Sequence, residues 1–116
     1  LDELRYGNKT RIIIFDLKEL KNPNIHFVHE GETDAIDHNL YIKSNKLYLS
    51  NYTAGLREFD IQNIENQEII EEAFFDTYPE SDDASFYGVW NSYPFFESGV
   101  IAVSDINRGL FLIKRK

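Results

Sequence analysis

The chain has 116 residues, the length of one domain, and its 42% hydrophobic content is enough to build a core. Its formal net charge of −8 excludes the basic face that a nucleic-acid partner requires. It contains no cysteine, which excludes a disulfide framework, and we expect no membrane span because no apolar run is long enough.

Two strands are predicted in residues 1–37. The first ten residues are polar and mixed in charge, which predicts a loop or a strand arriving from elsewhere. The continuous apolar run at 12–17 predicts a strand buried on both faces. A polar turn around Pro23 separates it from an alternating segment at 25–29, which predicts the next, outer strand.

Four consecutive antiparallel strands are predicted in residues 38–75. Apolar and polar residues alternate in short runs, and turn residues at 44–45 and 53–55 separate the first three of them. The runs are HNLYIK (38–43), KLYLSNY (46–52), LREFDI (56–61) and EIIEEAFF (68–75).

Three further strands are predicted after a polar insertion at 76–85. The first, YGVWNSYPFF, is rich in aromatic residues and carries Pro94 near its end, where a missing N–H is tolerated. The runs GVIAVSDI (99–106) and GLFLIKR (109–115) supply the other two.

One short strand recurs three times, as IIIFDL at 12–17, LREFDI at 56–61 and LFLIKR at 110–115. The segment LYLSNYTAGL at 47–56 also aligns without gaps on IAVSDINRGL at 101–110. A period of about 40–50 residues with short strands is typical of propeller blades. The sequence therefore predicts an all-β fold of antiparallel four-stranded blades, a partial β-propeller of about two to two and a half blades.

The predicted blades divide the chain into four segments. Residues 1–37 are the end of one blade, 38–75 a complete blade, 76–85 the loop between blades, and 86–116 the last blade. A propeller needs at least about four blades. We therefore expect the remaining blades to come from the same propeller or from another chain.

Two segments, HNLYIKSNKLYLSNYTAGLREFDI (38–61) and FFDTYPESDDASFYGVWNSYPFFESGVIAVSDINRGLFLIK (74–114), resemble a known family. They are similar to the C-terminal part of the choice-of-anchor B family, secreted bacterial proteins built from LVIVD-type propeller repeats. The most specific pieces are SNYTAGLREFDI, FFDTYPE and the run from Trp90 to SDINRGLF. The resemblance implies an exported protein, extracellular or on the cell surface, with no established catalytic activity.

Polar and aromatic residues at the predicted strand ends are candidate ligand contacts. In a propeller these ends converge on the mouth of the central channel, where ligands often bind. An indole face beside amide and hydroxyl groups suits a sugar or a peptide. The candidates are His38, Asn51, Tyr52, Trp90 and Asn91. The alternative is structural, since Asn side chains bond turn backbone and Trp90 can fill the core between blades.

Acidic residues between the blades form a candidate calcium site. Ten acidic residues and no lysine or arginine lie from 58 to 83. Calcium prefers six to eight oxygen ligands in a flexible geometry, which a loop rich in carboxylates can supply. The candidate ligands are Asp76, Glu80, Asp82 and Asp83, although their spacing matches no EF-hand. The alternative is a solvated acidic loop without a cofactor.

Two further positions invite a chemical interpretation. His26 and His29 form an H-x-x-H pair, but residues three apart on a strand point to opposite faces, so we do not expect a zinc site. Arg57 lies inside a predicted strand and is expected to pair with Asp60 or with a carboxylate of an adjacent blade.

The sequence favours a noncatalytic binding or scaffold module that recognises a protein or a glycan through its blade-end loops. Nucleophilic catalysis has little support, because there is no cysteine and no G-x-S-x-G motif. His38 with Asp34 or Asp37 is a candidate acid–base pair, which leaves a carboxylate-based glycoside hydrolase as one alternative. The other alternative is a structural subunit that completes a ring or fibre of several chains.

Overall fold

The fold consists of three antiparallel β-sheets that follow one another along the chain. The computed structural model describes residues 2–115. The sheets contain two, four and three strands, and strands adjacent in sequence are hydrogen-bonded neighbours in each sheet. The strands are β1 (Arg11–Asp16) and β2 (Asn24–Glu30) in the first sheet, β3 (Leu40–Lys43), β4 (Lys46–Ser50), β5 (Leu56–Asp60) and β6 (Ile70–Phe75) in the second, and β7 (Val89–Tyr93), β8 (Val100–Asp105) and β9 (Gly109–Lys114) in the third. The prediction of an all-β fold with antiparallel sheets is confirmed.

The beginning of the chain differs from the prediction of a loop or a strand. Asp2–Tyr6 forms a short helix, α1, of five residues. Its sequence, DELRY, contains good helix formers such as Leu and Glu. The helix ends where the N–H of Gly7 donates to the carbonyl oxygen of Glu3 at 2.9 Å. A second short helix, of 3₁₀ type, spans Ile64–Asn66 in the polar connection between β5 and β6.

The first core lies between the first and second sheets. Alternate residues of β4 point toward the first sheet, because successive side chains of a strand lie on opposite faces. The buried members of this core are Leu47, Leu49, Phe59 and Ile69, and Ile12, Ile14, Phe27 and Ile61 pack against them. The first and second sheets are therefore stacked face to face.

The second core lies on the other face of the second sheet. Its buried members are Leu56, Val89, Ile101 and Val103, and Tyr48, Phe111 and Ile113 pack against them. The second sheet is thus covered on both faces, by the first sheet on one side and the third on the other.

The outer faces of the first and third sheets are uncovered in residues 2–115. On the first sheet the register pairs Ile13 with Val28, and both side chains are exposed. On the third sheet the exposed side chains include Leu110 and Leu112. Within the described residues the three sheets do not close into a ring.

A network of ion pairs joins the second and third sheets at one end. The Lys46 Nζ lies 2.8 Å from Asp60 and 2.7 Å from Glu72. Arg115, just after β9, reaches Glu58 at 2.7 Å and the same Glu72 carboxylate at 3.0 Å. An irregularity in the register of β5 and β6 leaves Glu72 unpaired in the ladder, which allows its side chain to meet both cations.

Candidate functional site

The second and third sheets meet at a group of aromatic side chains, which we call the aromatic surface: His38, Tyr52, Phe86 and Trp90. His38 immediately precedes the β3–β4 hairpin, and its N–H donates to the carbonyl oxygen of Ser50 at 2.9 Å. Tyr52 follows β4 and forms a bridge with Val89 of β7. The backbone of the two sheets is therefore joined directly beneath the aromatic rings.

The rings of the aromatic surface are in mutual contact. The His38 ring centroid lies 4.5 Å from that of Trp90 and 5.1 Å from that of Tyr52. The Phe86 ring contacts Tyr52 edge to face, with 5.4 Å between centroids. The His38 Nδ1 donates a hydrogen bond of 2.6 Å to the carbonyl oxygen of Trp90. This bond fixes the tautomer and the orientation of the imidazole.

Trp90 and Tyr52 have opposite exposures in this group. Tyr52 is only 3% exposed, and burial raises the pKa of its phenol. Trp90 is 48% exposed and occupies a bulge, because the register steps from Val89 to Asn91 while the partner strand advances by one residue. Bulges redirect side chains. The buried tyrosine therefore supports an indole that solvent and ligands can reach.

The backbone of Tyr52 is strained. Its φ is 37°, in a region of backbone conformation that residues other than Gly, Asn and Asp rarely adopt. Its carbonyl oxygen accepts the N–H of Gly55 at 2.9 Å and that of Val89 at 3.0 Å, which holds this conformation. Strained residues of this kind cluster at binding sites.

Asn51 does not belong to the aromatic surface, although it was predicted with it. Its side chain is 1% exposed and donates from Nδ2 to Asp37 and, at 2.9 Å, to the hydroxyl of Thr10. The same Asp37 accepts hydrogen bonds from the Thr10 hydroxyl and, at 2.9 Å, from the Arg11 N–H. Asn51 therefore fastens the start of β1 to the second sheet.

Asp37 is the carboxyl group at the centre of that network. Its pKa is raised above the usual 3.8, mainly because burial penalises the charged form. The hydrogen bonds from Thr10, Arg11 and Asn51 oppose this shift, while the negative charge of Glu3 adds to it. These contacts give the Asp37 carboxyl a structural role, because they hold the start of the first sheet against the second.

Neither carboxylate proposed as a partner of His38 is seen in contact with it. Asp37 is committed to the network just described. The carboxylate of Asp34 lies 3.9 Å from Lys9 Nζ, in an exposed ion pair. The imidazole of His38 faces the aromatic rings instead, so the geometry does not build the acid–base pair.

Asn91 lies beside Trp90 and bonds its own strand. Its Oδ1 accepts the N–H of Ser92 at 2.9 Å, and its carbonyl oxygen accepts the hydroxyl of Ser104 at 3.3 Å. Of the five predicted ligand residues, the structure thus brings His38, Tyr52 and Trp90 into contact. It places Asn91 next to them and Asn51 in a separate, buried network. Phe86 was not predicted, although it begins the aromatic run that contains Trp90.

Three of the four predicted calcium ligands have separate hydrogen-bond or ion-pair partners, and Asp82 lies at a cleft between the first and second sheets. Asp76 accepts the N–H of Tyr78 at 2.7 Å, and Glu80 forms an ion pair of 2.5 Å with Arg108. The carbonyl oxygen of Asp83 accepts the Thr53 hydroxyl at 2.8 Å. No group of three or more His, Cys, Asp or Glu side chains suited to a metal is found in the part of the chain that the structure describes. The calcium hypothesis stays a prediction from the sequence alone.

The remaining predicted positions take structural contacts. Arg57 pairs with Glu71 on the neighbouring strand β6 at 2.9 Å, and its Nε donates to the Ala54 carbonyl oxygen at 2.8 Å. The expected partner Asp60 binds Lys46 instead. His26 lies at the irregularity in the register of β1 and β2 and approaches the carbonyl oxygen of Ile64 at 3.2 Å, whereas His29 packs on Phe59.

A cleft of about 660 Å³ between the first and second sheets was not predicted. It is lined by the ends of β1 and β2, by the loop that follows β2, and by residues of β5 and β6. Its charged lining includes both signs, with Arg57 bound to Glu71. The cleft could not be predicted from the sequence, because it exists only where two sheets stack on each other.

Comparisons with protein-family models, curated proteins and solved structures find no match for this chain. Among residues 2–115, no helix is long and apolar enough to cross a membrane. The functional interpretation therefore depends on the residues themselves. The group with the clearest capacity to bind is the aromatic surface, where an exposed indole is held in place by a buried tyrosine and a hydrogen-bonded histidine.

Proposed function

We propose that the chain is a noncatalytic binding module of a β-propeller protein, and that it recognises its ligand through the aromatic surface. The observation that carries this proposal is the half-exposed indole of Trp90, oriented by the bulge of β7 and backed by Tyr52 and His38. A rigid aromatic platform loses little conformational entropy when a ligand stacks on it.

The propeller interpretation is supported by the repeats and by the sheets. Each sheet is a meander of consecutive strands, and successive sheets stack face to face. The matching segments at 47–56 and 101–110 occupy the same place in the second and third sheets, from β4 to β5 and from β8 to β9. Radial repetition of such sheets builds propellers. The resemblance to choice-of-anchor B proteins supports an exported bacterial protein, extracellular or on the cell surface.

The proposed ligand presents a flat apolar face with polar edges. The C–H face of a sugar ring in a glycan has this character, and so do aromatic or proline side chains of a protein. The indole N–H can donate to a ligand oxygen, as it does when tryptophan lies at an interface. The net charge of −8 disfavours strongly anionic ligands.

Tryptophan fluorescence tests this proposal directly, because Trp90 is the only tryptophan in the chain. Titration with soluble glycans and proline-rich peptides should shift its emission in a saturable way for the class that binds. Trp90→Ala should remove binding, measured by calorimetry, while preserving the circular dichroism spectrum. The matched control is Phe96→Ala. Phe96 is a similarly exposed aromatic residue that packs on Tyr93, 4.9 Å between ring centroids.

Two results would contradict the proposal. One is a ligand that binds with unchanged affinity to the Trp90→Ala variant. The other is a loss of binding that is equal for the Trp90→Ala and Phe96→Ala variants, since this would place the ligand on exposed aromatic area in general.

A second candidate function is that of a structural subunit, which the uncovered apolar faces favour. Ile13, Val28, Leu110 and Leu112 are exposed on the outer faces of the first and third sheets. A soluble domain rarely leaves such faces without a partner. Self-association that increases with concentration, measured by light scattering and weakened by Leu112→Lys, is the expected result for this role.

A further inference from the structure

The first sheet has a strand edge that is unpaired within residues 2–115. Strand β1 pairs with β2 only. Its counterpart in the second sheet is β5, because IIIFDL at 12–17 matches LREFDI at 56–61. Strand β5 is bonded on both sides, by β4 and by β6. The first sheet therefore lacks the strand that stands in the position of β4.

The free edge of β1 points toward the space above β3. Thr10, immediately before β1, is bonded to Asn51, immediately after β4. His29 of β2 packs on Phe59 of β5, which places β2 farther along the second sheet. The order of strands in the second sheet is β3-β4-β5-β6. The side of the first sheet beyond β1 consequently overlies β3.

Strand β3 carries apolar side chains that nothing covers in the described part of the chain. Leu40 and Ile42 are 45% and 52% exposed. The register pairs them with Leu49 and Leu47, so all four lie on one face of the sheet. Leu47 and Leu49 are buried beneath the first sheet. The uncovered face thus continues the first core at the place where the first sheet stops.

Asp16 and Asp60 supply a third, electrostatic observation. The Oδ1 of Asp60 accepts the N–H of Gln62 at 2.8 Å, and the Oδ1 of Asp16 accepts the N–H of Lys18 at 2.9 Å. The Oδ2 of Asp60 also binds Lys46, which β4 brings opposite it in the register. The Oδ2 of Asp16 lies 3.3 Å from the Nζ of Lys18, whose side chain is 85% exposed. Within residues 2–115, no strand brings a lysine opposite Asp16 as β4 brings Lys46 opposite Asp60.

We propose that the free edge of β1 and the uncovered face of β3 together form a docking site for a β-hairpin of the β3–β4 type. The second strand of this hairpin pairs antiparallel with β1. Its apolar side chains cover Leu40 and Ile42, and a lysine or arginine at its start binds Asp16. The hairpin belongs to the remaining strands of the proposed β-propeller, so this inference rests on the proposed fold, and its binding does not depend on the aromatic surface.

A second copy of this chain is a poor source of the hairpin. The β3–β4 hairpin of that copy is already built into its own second sheet, where β4 is bonded on both sides. Its release would expose the buried side chains of Leu47 and Leu49. A separate hairpin with the same pattern of residues avoids that cost.

The experiment joins such a hairpin to the whole chain. The segment HNLYIKSNKLYLS, a duplicate of residues 38–50, is placed before the chain through a Gly-Ser linker of about 15 residues, which spans roughly 20 Å. Hydrogen exchange should slow by about tenfold or more at alternate amides of β1. The thermal midpoint of the fusion should also rise above that of the original chain.

Four matched variants test the details. A fusion with a scrambled hairpin should leave the exchange of β1 unchanged. Replacement of the duplicated Lys46 by Glu in the added hairpin should reverse most of the protection, because two negative charges then face each other. In the host chain, Ile42→Lys should weaken docking. Leu112→Lys, at an exposed position on the third sheet, should not.

The proposal is overturned if β1 of a monomeric fusion exchanges as fast as in the original chain, or if the scrambled hairpin protects it equally. It is also overturned if protection grows with protein concentration together with dimer formation, since the edge would then be covered by a second copy.

Discussion

Gly55 and Gly109 occupy equivalent positions in two matching turns and have nearly the same φ, +81° and +84°, but only Gly55 is enclosed. A Cβ at Gly55 would collide with the carbonyl oxygen of Phe75 and approach the Cα of Asp76 at 2.8 Å. A Cβ at Gly109 would meet nothing within 4 Å. Strand β6 closes over the first turn, whereas no strand in the described residues covers the second. Comparison of the two glycines therefore separates the cost of backbone strain from the cost of a steric collision.

Alanine at these two positions should therefore have unequal effects. Gly109→Ala pays only for the left-handed backbone conformation, and should lower the free energy of unfolding by about 1–2 kcal/mol. Gly55→Ala adds a collision in a packed region and should lower it by about 2–5 kcal/mol. Urea unfolding followed by circular dichroism measures both. Equal losses would show that the path of β6 over Gly55 is incorrect.

The pKa of Asp37 predicts a pH dependence. Because burial raises this pKa above 3.8, the folded chain binds the proton more tightly than the unfolded chain does. The resulting stabilisation is fully present below about pH 3.8 and is lost as the pH rises through the elevated value. Asp37→Asn should therefore cost less stability at pH 7 than at pH 4.

The matched control for Asp37 is Asp34→Asn, a nearby carboxylate whose side chain is 67% exposed. Its ion pair with Lys9 is exposed and spans 3.9 Å, so Asp34→Asn should change the free energy of unfolding little. Urea unfolding of both variants at pH 4 and pH 7 gives the comparison. A cost of Asp37→Asn that increases toward neutral pH would mean that the hydrogen bonds from Thr10, Arg11 and Asn51 outweigh burial.

The ion pairs of Lys46 predict the opposite dependence. Hydrogen bonds from Lys46 are the largest cause of the lowered pKa values of Asp60 and Glu72. Their stabilisation is present above the usual values of 3.8 and 4.5 and is lost as the pH falls through the lowered ones. Lys46→Met should therefore destabilise the fold at pH 7, and this difference should shrink as the pH is lowered.

The salt concentration is the second variable in that experiment. The loss of stability caused by Lys46→Met should also decrease in 1 M NaCl, where the screening length is about 3 Å. Lys18→Met is the control, because the Lys18 side chain is 85% exposed and its ion pair is longer, at 3.3 Å. Urea unfolding at pH 7 and pH 3, with and without salt, is the measurement. A salt-independent loss would assign the effect to packing of the Lys46 stem.

The strands could be predicted from the sequence because their signals are local. Alternation at 40–43 and 46–50, with turn residues between them, specifies a hairpin without reference to the rest of the chain. The contact of Thr10 with Asn51 has no such signal, since the two residues meet only after two sheets have stacked. The same holds for Asp37, whose sequence context suggested an acid–base role near His38.

The candidate site could likewise be predicted only in part from the sequence. Matching turns at Asn51-Tyr52 and at 105–106 indicated strand ends, and strand ends indicated where His38 and Trp90 could meet. The burial of Tyr52 beneath Trp90 was not predictable, because it depends on the bulge at Trp90 and on the bridge to Val89. The partner of Arg57 was missed for a related reason: an irregular register in β6 decides which glutamate faces it.

Within residues 2–115, every hydrogen-bonded pair of strands is formed by neighbours in sequence. Contacts of this kind close short loops, and short loops form quickly. We therefore expect each sheet to form before the sheets pack on one another, and the bonds between sheets, such as that of Asn51 with Thr10, to form after the transition state. Substitutions at these junctions should accelerate unfolding and leave the folding rate nearly unchanged. We therefore expect the contacts between sheets to set the unfolding rate, and the contacts within each sheet to set the folding rate.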